Sequence, residues 1–139
     1  MKEQLLIKAA NISNETFKDA VISVDEHQIY IHASGKMLVL EVDVFASCGE
    51  ENHPDTMYCY RLVIPSIYTV SDDEREHVSD IINSINGMVK IGKAYINSED
   101  DVHIEATIFL KDGLFDSNYL TCLVRPLEEL YKLFARHIL

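Results

Sequence analysis

The sequence lacks most of what would announce a function. It contains no apolar run of about 18 residues, the length that a membrane-spanning helix needs, and its opening stretch MKEQLLIKAANISNE has no apolar core of the secretory type. A cytoplasmic location is the expectation. Positive charge is scarce, with 12 Lys and Arg against 23 Asp and Glu, a formal net charge of −11 and a pI of about 4.8. A surface of that sign repels polyanions, which argues against nucleic acid and anionic membranes as main partners. Cysteine is also scarce: Cys48, Cys59 and Cys122 are odd in number and show no Cys-x-x-Cys spacing. They suit free thiols in a reducing compartment, and a redox role is left open for each.

Catalytic signatures are missing as well. There is no G-x-S-x-G, no phosphate-binding glycine loop and no G-x-G-x-x-G, and Gly87 and Gly92 stand alone. The histidines at 27, 32, 53, 77, 103 and 137 are scattered, with no H-E-x-x-H. Glu99-Asp100-Asp101 lacks the alternating ligands of a calcium loop and reads as a turn. The densest donor set is CGEENHPD, in which Cys48, Glu50, Glu51, His53 and Asp55 offer mixed ligands. A metal site needs those donors to converge from rigid elements, whereas a hairpin loop of this composition is ordinarily solvated. No cysteine has a base or an electropositive setting in view. No metal, no cofactor, no catalytic residue and no enzymatic activity are the expectations.

What the chain does have is globular composition, 47% hydrophobic and 25% charged over 139 residues. That is enough to bury a core in one domain spanning 1–139, and no repeat, linker or low-complexity tract divides it. Residues 2–12 suit a short helix with Leu5, Leu6 and Ala9 near one face. Alternation at period two then runs through AVISVDEHQIYIHA, KMLVLEVDVFA and TMYCYRLVI. In the second run Leu38, Leu40, Val42 and Val44 face one way; in the third, Tyr58, Tyr60, Leu62 and Ile64 do. The acidic loop between these two makes them an antiparallel hairpin.

After Pro65 the period changes to that of a helix. Ser71 and Glu74 have the spacing of a capping box, Asp72, Asp73 and Glu74 suit the positive end of a helix dipole, and Val78, Ile81, Ile82 and Ile85 form one stripe. GMVKIGKAYIN and VHIEATIFLKDG follow as strands. The last residues place Leu120, Leu123, Leu127, Leu130, Phe134 and Ile138 on one helical face, and Pro126 predicts a kink or two abutting helices. The expected fold is therefore α+β, with a mainly antiparallel sheet of about five strands and helices on one face, in the order α-β-β-β-α-β-β-α. In the stretch IINSING, Asn83, Asn86 and Gly87 read as a helix end, with Gly87 suited to a positive φ. The alternative is a ligand near Asn83 and Tyr95, between helix and sheet.

The segment IINSINGMVKIGKAYINSEDDVHIEATIFLKDGLFDSNYLTCLV resembles the second half of YbjN-like proteins, the bacterial sensory transduction regulators. The marks are Ile82-Asn83-x-x-Asn86, the strand bearing Lys93 and Ala94, the strand after it and the amphipathic C-terminal helix. The likeness covers about residues 75–139, and the first half only in element order. It implies a fold similar to type III secretion chaperones, small acidic proteins, often dimers, that hold partner polypeptides. It carries over no catalytic residues.

One face of the expected sheet packs on the helices. The other carries Met37, Val39, Phe45, Met57, Val63 and Phe109 around Glu41, Asp43, Arg61, His103 and Glu105. Apolar residues rimming a polar centre mark protein contacts in many surfaces. The functional expectation is a non-catalytic protein-binding module, chaperone-like or a regulatory adaptor, acting by homodimerisation or by capture of a client polypeptide. The alternative is a sensor domain for a small molecule.

Overall fold

A computed structural model of the chain describes residues 2–33, 35–46, 55–111 and 113–138. The donor set at Cys48, Glu50, Glu51 and His53 lies outside the described residues, and no cluster of three metal-ligating side chains occurs among those that are described. The element order is α1 (Lys2–Thr16), β1 (Val21–Val24), β2 (Gln28–Ala33), β3 (Lys36–Ala46), β4 (Met57–Thr69), α2 (Arg75–Asn86), β5 (Lys93–Ile96), β6 (Asp101–Lys111) and α3 (Ser117–Ile138). All six strands pair antiparallel in the order β1-β2-β3-β4-β6-β5, an α+β arrangement.

The sixth strand comes from AVISVDEHQIYIHA, which is a hairpin and not one strand. Asp25 makes the corner: its Oδ1 accepts the backbone N–H of His27 at 2.8 Å and of Gln28 at 2.7 Å. This is the side-chain mimic of a backbone turn that aspartate is suited to make. Two further boundaries differ from the periodicity. β4 runs through Pro65 to Thr69, because its register with β6 slips between Ile64 and Tyr68 and Ser66 takes φ 49° there. A bulge is where a proline that donates no N–H is tolerated inside a sheet. β5 is only four residues long, since the chain must first turn back from the end of α2.

The core lies between one face of the sheet and the three helices. β3 contributes Leu38, Leu40 and Val42, β4 contributes Tyr58, Tyr60, Leu62 and Ile64, and β6 contributes Val102, Ile104, Ala106 and Leu110. Val44 shares their face but stays exposed, because it lies at the far end of β3 beside a bulge between Val44 and Ala46. From the helices come Leu6, Ala9 and Ala10 of α1, Val78, Ile82 and Ile85 of α2, and Leu120, Leu123, Leu127, Leu130 and Phe134 of α3. Each fully buried aliphatic side chain contributes about 1.5–3 kcal/mol before entropy is charged against it. Ser71 and Glu74 form the expected capping box at a 3-10 turn, Asp72–Glu74, which leads into α2. α3 is one helix of 22 residues with Pro126 inside it, not two abutting helices. The donor that proline lacks would have served the carbonyl of Cys122, an exposed residue whose carbonyl can turn to water.

The end of α2 is held by a side chain. Asn86 Oδ1 accepts the N–H of Ala94 at 2.7 Å and its Nδ2 donates to the Ala94 carbonyl at 2.9 Å, so one amide pairs with β5 as a neighbouring strand would. Asn83 is exposed, and its carbonyl accepts the N–H of Gly87 at 3.3 Å. Gly87 has φ −71°, so the positive φ expected there is absent. The glycine that space requires is Gly92, where a Cβ would lie 2.9 Å from Leu130 Cδ1 and 3.2 Å from the Glu105 carbonyl. Replacing Asn86 with Ala strips both partners from Ala94 and is expected to cost about 1–2 kcal/mol in urea unfolding. Asn83→Ala is expected to stay within about 0.5 kcal/mol.

Candidate functional site

The face of the sheet away from the helices is built by strand register. Reading across β2, β3, β4, β6 and β5, Tyr30 pairs with Val39, Val39 with Val63, Val63 with Glu105 and Glu105 with Lys93. The next row places Gln28 beside Glu41, Glu41 beside Arg61 and Arg61 beside Thr107. The long polar side chains of these two rows join into one chain of contacts.

At its centre Arg61 Nη1 donates to Glu41 Oε2 at 3.2 Å and Nη2 donates to Tyr95 Oη at 3.2 Å. Arg61 Nε lies 2.5 Å from Glu105 Oε2, an ionic contact without the alignment of a hydrogen bond. Lys93 Nζ approaches the other oxygen of Glu105 at 3.3 Å. On the other side Gln28 Nε2 donates to Glu41 Oε1 at 2.6 Å. Tyr30 Oη sits 2.8 Å from Gln28 Oε1 and 2.9 Å from Asp25 Oδ2, its single proton serving one or the other. The network thus runs from the β1–β2 corner to β5. His103 stacks on Tyr95 with centroids 5.6 Å apart, and its Nε2 meets Asn97 Nδ2 at 2.8 Å.

Charge state follows from these contacts. Partial burial works against the Arg61 charge, but Glu41, Glu105 and Tyr95 together hold the guanidinium protonated more firmly than in water. The Cys59 thiol is pushed up by burial and by Asp43, Glu105 and Glu41, with Arg61 opposing. That setting is the reverse of one that activates a thiolate. Asp25 is held below the usual carboxylate range by the N–H groups of His27 and Gln28 and by Tyr30.

The candidate face residues divide into three groups. Val39 and Val63 are only 7% and 4% exposed, so they are floor and not contact surface. Their cross-strand neighbours Tyr30 and Glu105 are long enough to close over two small β-branched chains. Glu41, Arg61, Glu105 and His103 form the half-buried polar network, with Asp43 exposed beside it. Phe45, Phe109, Met57 and Met37 are the apolar members that reach the surface in whole or part. Phe45 is 63% exposed and Phe109 47% exposed, with ring centroids 4.6 Å apart. Asp43, Cys59 and Phe109 share one row across β3, β4 and β6, so the two rings meet above the middle strand near Cys59. Alternation located both rings but not their contact. That contact depends on the bulge after Val44.

The groove between α2 and β5, where a small ligand was the alternative, has a volume of about 280 Å³ and is lined by Arg75, Ser79, Asn83, Asn86 and Tyr95 among others. Its polar groups are mostly engaged: Asn86 with Ala94, Tyr95 with Arg61, and Arg75 with Asp100. No helix of the described residues is long and apolar enough to cross a membrane. No protein-family model, curated protein or solved structure matches the chain.

Arg61→Glu would place a third carboxylate between Glu41 and Glu105. It is expected to lower stability by about 1–3 kcal/mol in chemical denaturation, with partial recovery in the double variant that adds Glu105→Arg. The lowered Asp25 pKa has a defined pH signature. The turn's contribution is complete above about pH 4 and is lost as pH falls through the lower, folded value. Asp25→Asn is expected to remove that part of the acid sensitivity, read as a flatter dependence of stability on pH below about 4.

Proposed function

We propose that this chain is a non-catalytic protein-binding module, a chaperone-like or adaptor protein of the kind that the YbjN-like resemblance implies. It acts on a client polypeptide or on a second copy of itself. The observation that carries the reading is the pair of exposed aromatic rings, Phe45 and Phe109, lying against a pre-ordered polar network on an otherwise strongly acidic chain. Exposed aromatics cost solvation and are favoured where a partner buries them, while a rim of fixed charges selects which partner does so. The network is already ordered in the free protein, so a partner meets it without a large loss of side-chain freedom. A reducing compartment such as the cytoplasm suits the free thiols of Cys59 and Cys122.

The sensor reading ranks second, because the α2–β5 groove is below the size of most small-molecule sites and its polar groups are mostly spoken for. The test is affinity capture from native-host lysate with wild type, Phe45→Ser and Phe109→Glu proteins, each first shown to melt as wild type does. Arg61→Glu is unsuited, since its effect on the fold would mimic a loss of binding. A protein retained by wild type and lost by both variants is the expected result. Equal capture by all three would overturn the reading.

A further inference from the structure

The sheet has a strip of unmet hydrogen-bonding capacity inside its β6 strand. Asn86 bonds both the N–H and the carbonyl of Ala94, so those groups point away from β6. In an antiparallel pair the direction alternates, which turns Lys93 and Tyr95 toward β6 and their partners Glu105 and His103 toward β5. The pairing of β6 with β4 is regular from Ile104 to Lys111, so Thr107 and Phe109 turn their backbone groups to the same side as Glu105. β5, however, begins at Lys93, opposite Glu105. The chain before it leaves the sheet at Gly92, which is packed against Leu130 and Pro126 of α3. Among the described residues, the N–H and carbonyl groups of Thr107 and Phe109 on that side therefore have no partner. Further along, the Lys111 carbonyl is closed off by the N–H of Leu114 at 3.3 Å.

This bare segment borders a groove of about 550 Å³ lined by Lys90, Ile91, Lys93, Thr107 and Phe109 among others. Ile91 and Phe109 give it exposed apolar walls. Lys90 and Lys93 stand at one end, and Lys111 follows Phe109 on the same face of β6 at the other; Lys93 Nζ is 3.3 Å from Glu105 and Lys111 Nζ 3.3 Å from Asp55, while Lys90 has no ion pair among the described residues. Three of only 12 Lys and Arg residues thus line one short edge of a chain whose net charge is −11. Lys90 can meet an acidic side chain directly and Lys93 and Lys111 can share theirs, so this edge attracts an acidic segment that the net charge of the chain otherwise disfavours.

We infer that the Thr107–Phe109 edge of β6 takes up an extended acidic peptide as an added strand, with glutamate or aspartate toward Lys90, Lys93 and Lys111 and an apolar side chain against Phe109. The inference rests on the protein-binding reading and specifies where and how the client docks. Backbone groups supply the affinity and alternate side chains the selectivity.

The probe is a short capped peptide of alternating glutamate and phenylalanine or valine, with a control in which lysine replaces glutamate. The readouts are a binding titration and amide hydrogen exchange of the full chain, residue by residue. Expected are slowing of the Thr107 and Phe109 amides by about tenfold or more and weak or no binding of the lysine peptide. Lys90→Glu with Lys111→Glu is expected to weaken the acidic peptide by about tenfold, and Thr107→Pro should do the same. Proline at 107 removes an outward N–H and no bond to β4, and if that variant does not fold, exchange in wild type decides alone.

Absence of binding by the acidic peptide would overturn the inference, as would equal binding of the lysine peptide. Binding that leaves both amides unchanged would overturn strand addition in favour of docking on the open face. Slowing of both amides on concentrating the protein alone would make the occupant a second copy. A client captured from lysate and still held by Thr107→Pro protein would sink the strand edge yet leave the protein-binding reading standing.

Discussion

The open face is organised around one central cation. Arg61 stands on the middle strand of β3-β4-β6 and spans to Glu41 on one side and Glu105 on the other. Without it, the pairing that buries Leu40, Leu62 and Ala106 on the core face would force two carboxylates together, with Asp43 nearby, on the opposite face. The core and this face cannot be adjusted independently, because a one-residue slip in register exchanges the two. The guanidinium suits the position better than an ammonium would: its planar donors reach Glu41, Glu105 and Tyr95 at once. Exposed pairs of this kind add little by themselves. Here the side chain of Glu105 is only 12% exposed, and without Arg61 it would depend on Lys93 alone, at 3.3 Å.

The same face shows how order and exposure are distributed. Polar side chains from β2 to β5 hold one another and cover Val39 and Val63, while the apolar exposure is gathered at the end where Phe45 and Phe109 meet. A charged network thus lies beside an exposed aromatic pair. A nucleophile or general base needs a shifted pKa in its favour, and Cys59 is shifted against it. Sheet edges are handled unevenly. Asn86 satisfies the outer side of β5 with a side chain, a common need for a strand that would otherwise template aggregation.

Much of the fold was legible in the sequence, and the failures have separate physical causes. Alternation in KMLVLEVDVFA, TMYCYRLVI and VHIEATIFLKDG placed the long strands, because a sheet with one buried face imposes period two directly on residue type. The stripes of α2 and α3 were equally direct. The β1–β2 corner was missed although Asp25-Glu26-His27 is a polar interruption with an aspartate at its start, a local signal that could have marked it. Periodicity ends β4 at Pro65, whereas a bulge lets the strand pass through it. Position alone suggests a positive φ at Gly87, but the close approach that demands glycine is at Gly92, visible only once α3 is packed behind it.

By itself, then, the sequence determined the class of fold, the acidic surface and the side of the sheet to which each residue belongs, because these follow from composition and from periods set by backbone geometry. Only the tertiary structure decided which residues on a shared face are floor and which are surface. Val39 and Phe45 have the same parity in one strand, yet one is buried among cross-strand neighbours and the other is exposed at a bulge. It also decided that Asn86 is a surrogate strand and that part of β6 has no neighbouring strand on one side among the described residues. Both depend on where a second element stops, and the pattern of the first carries no record of that.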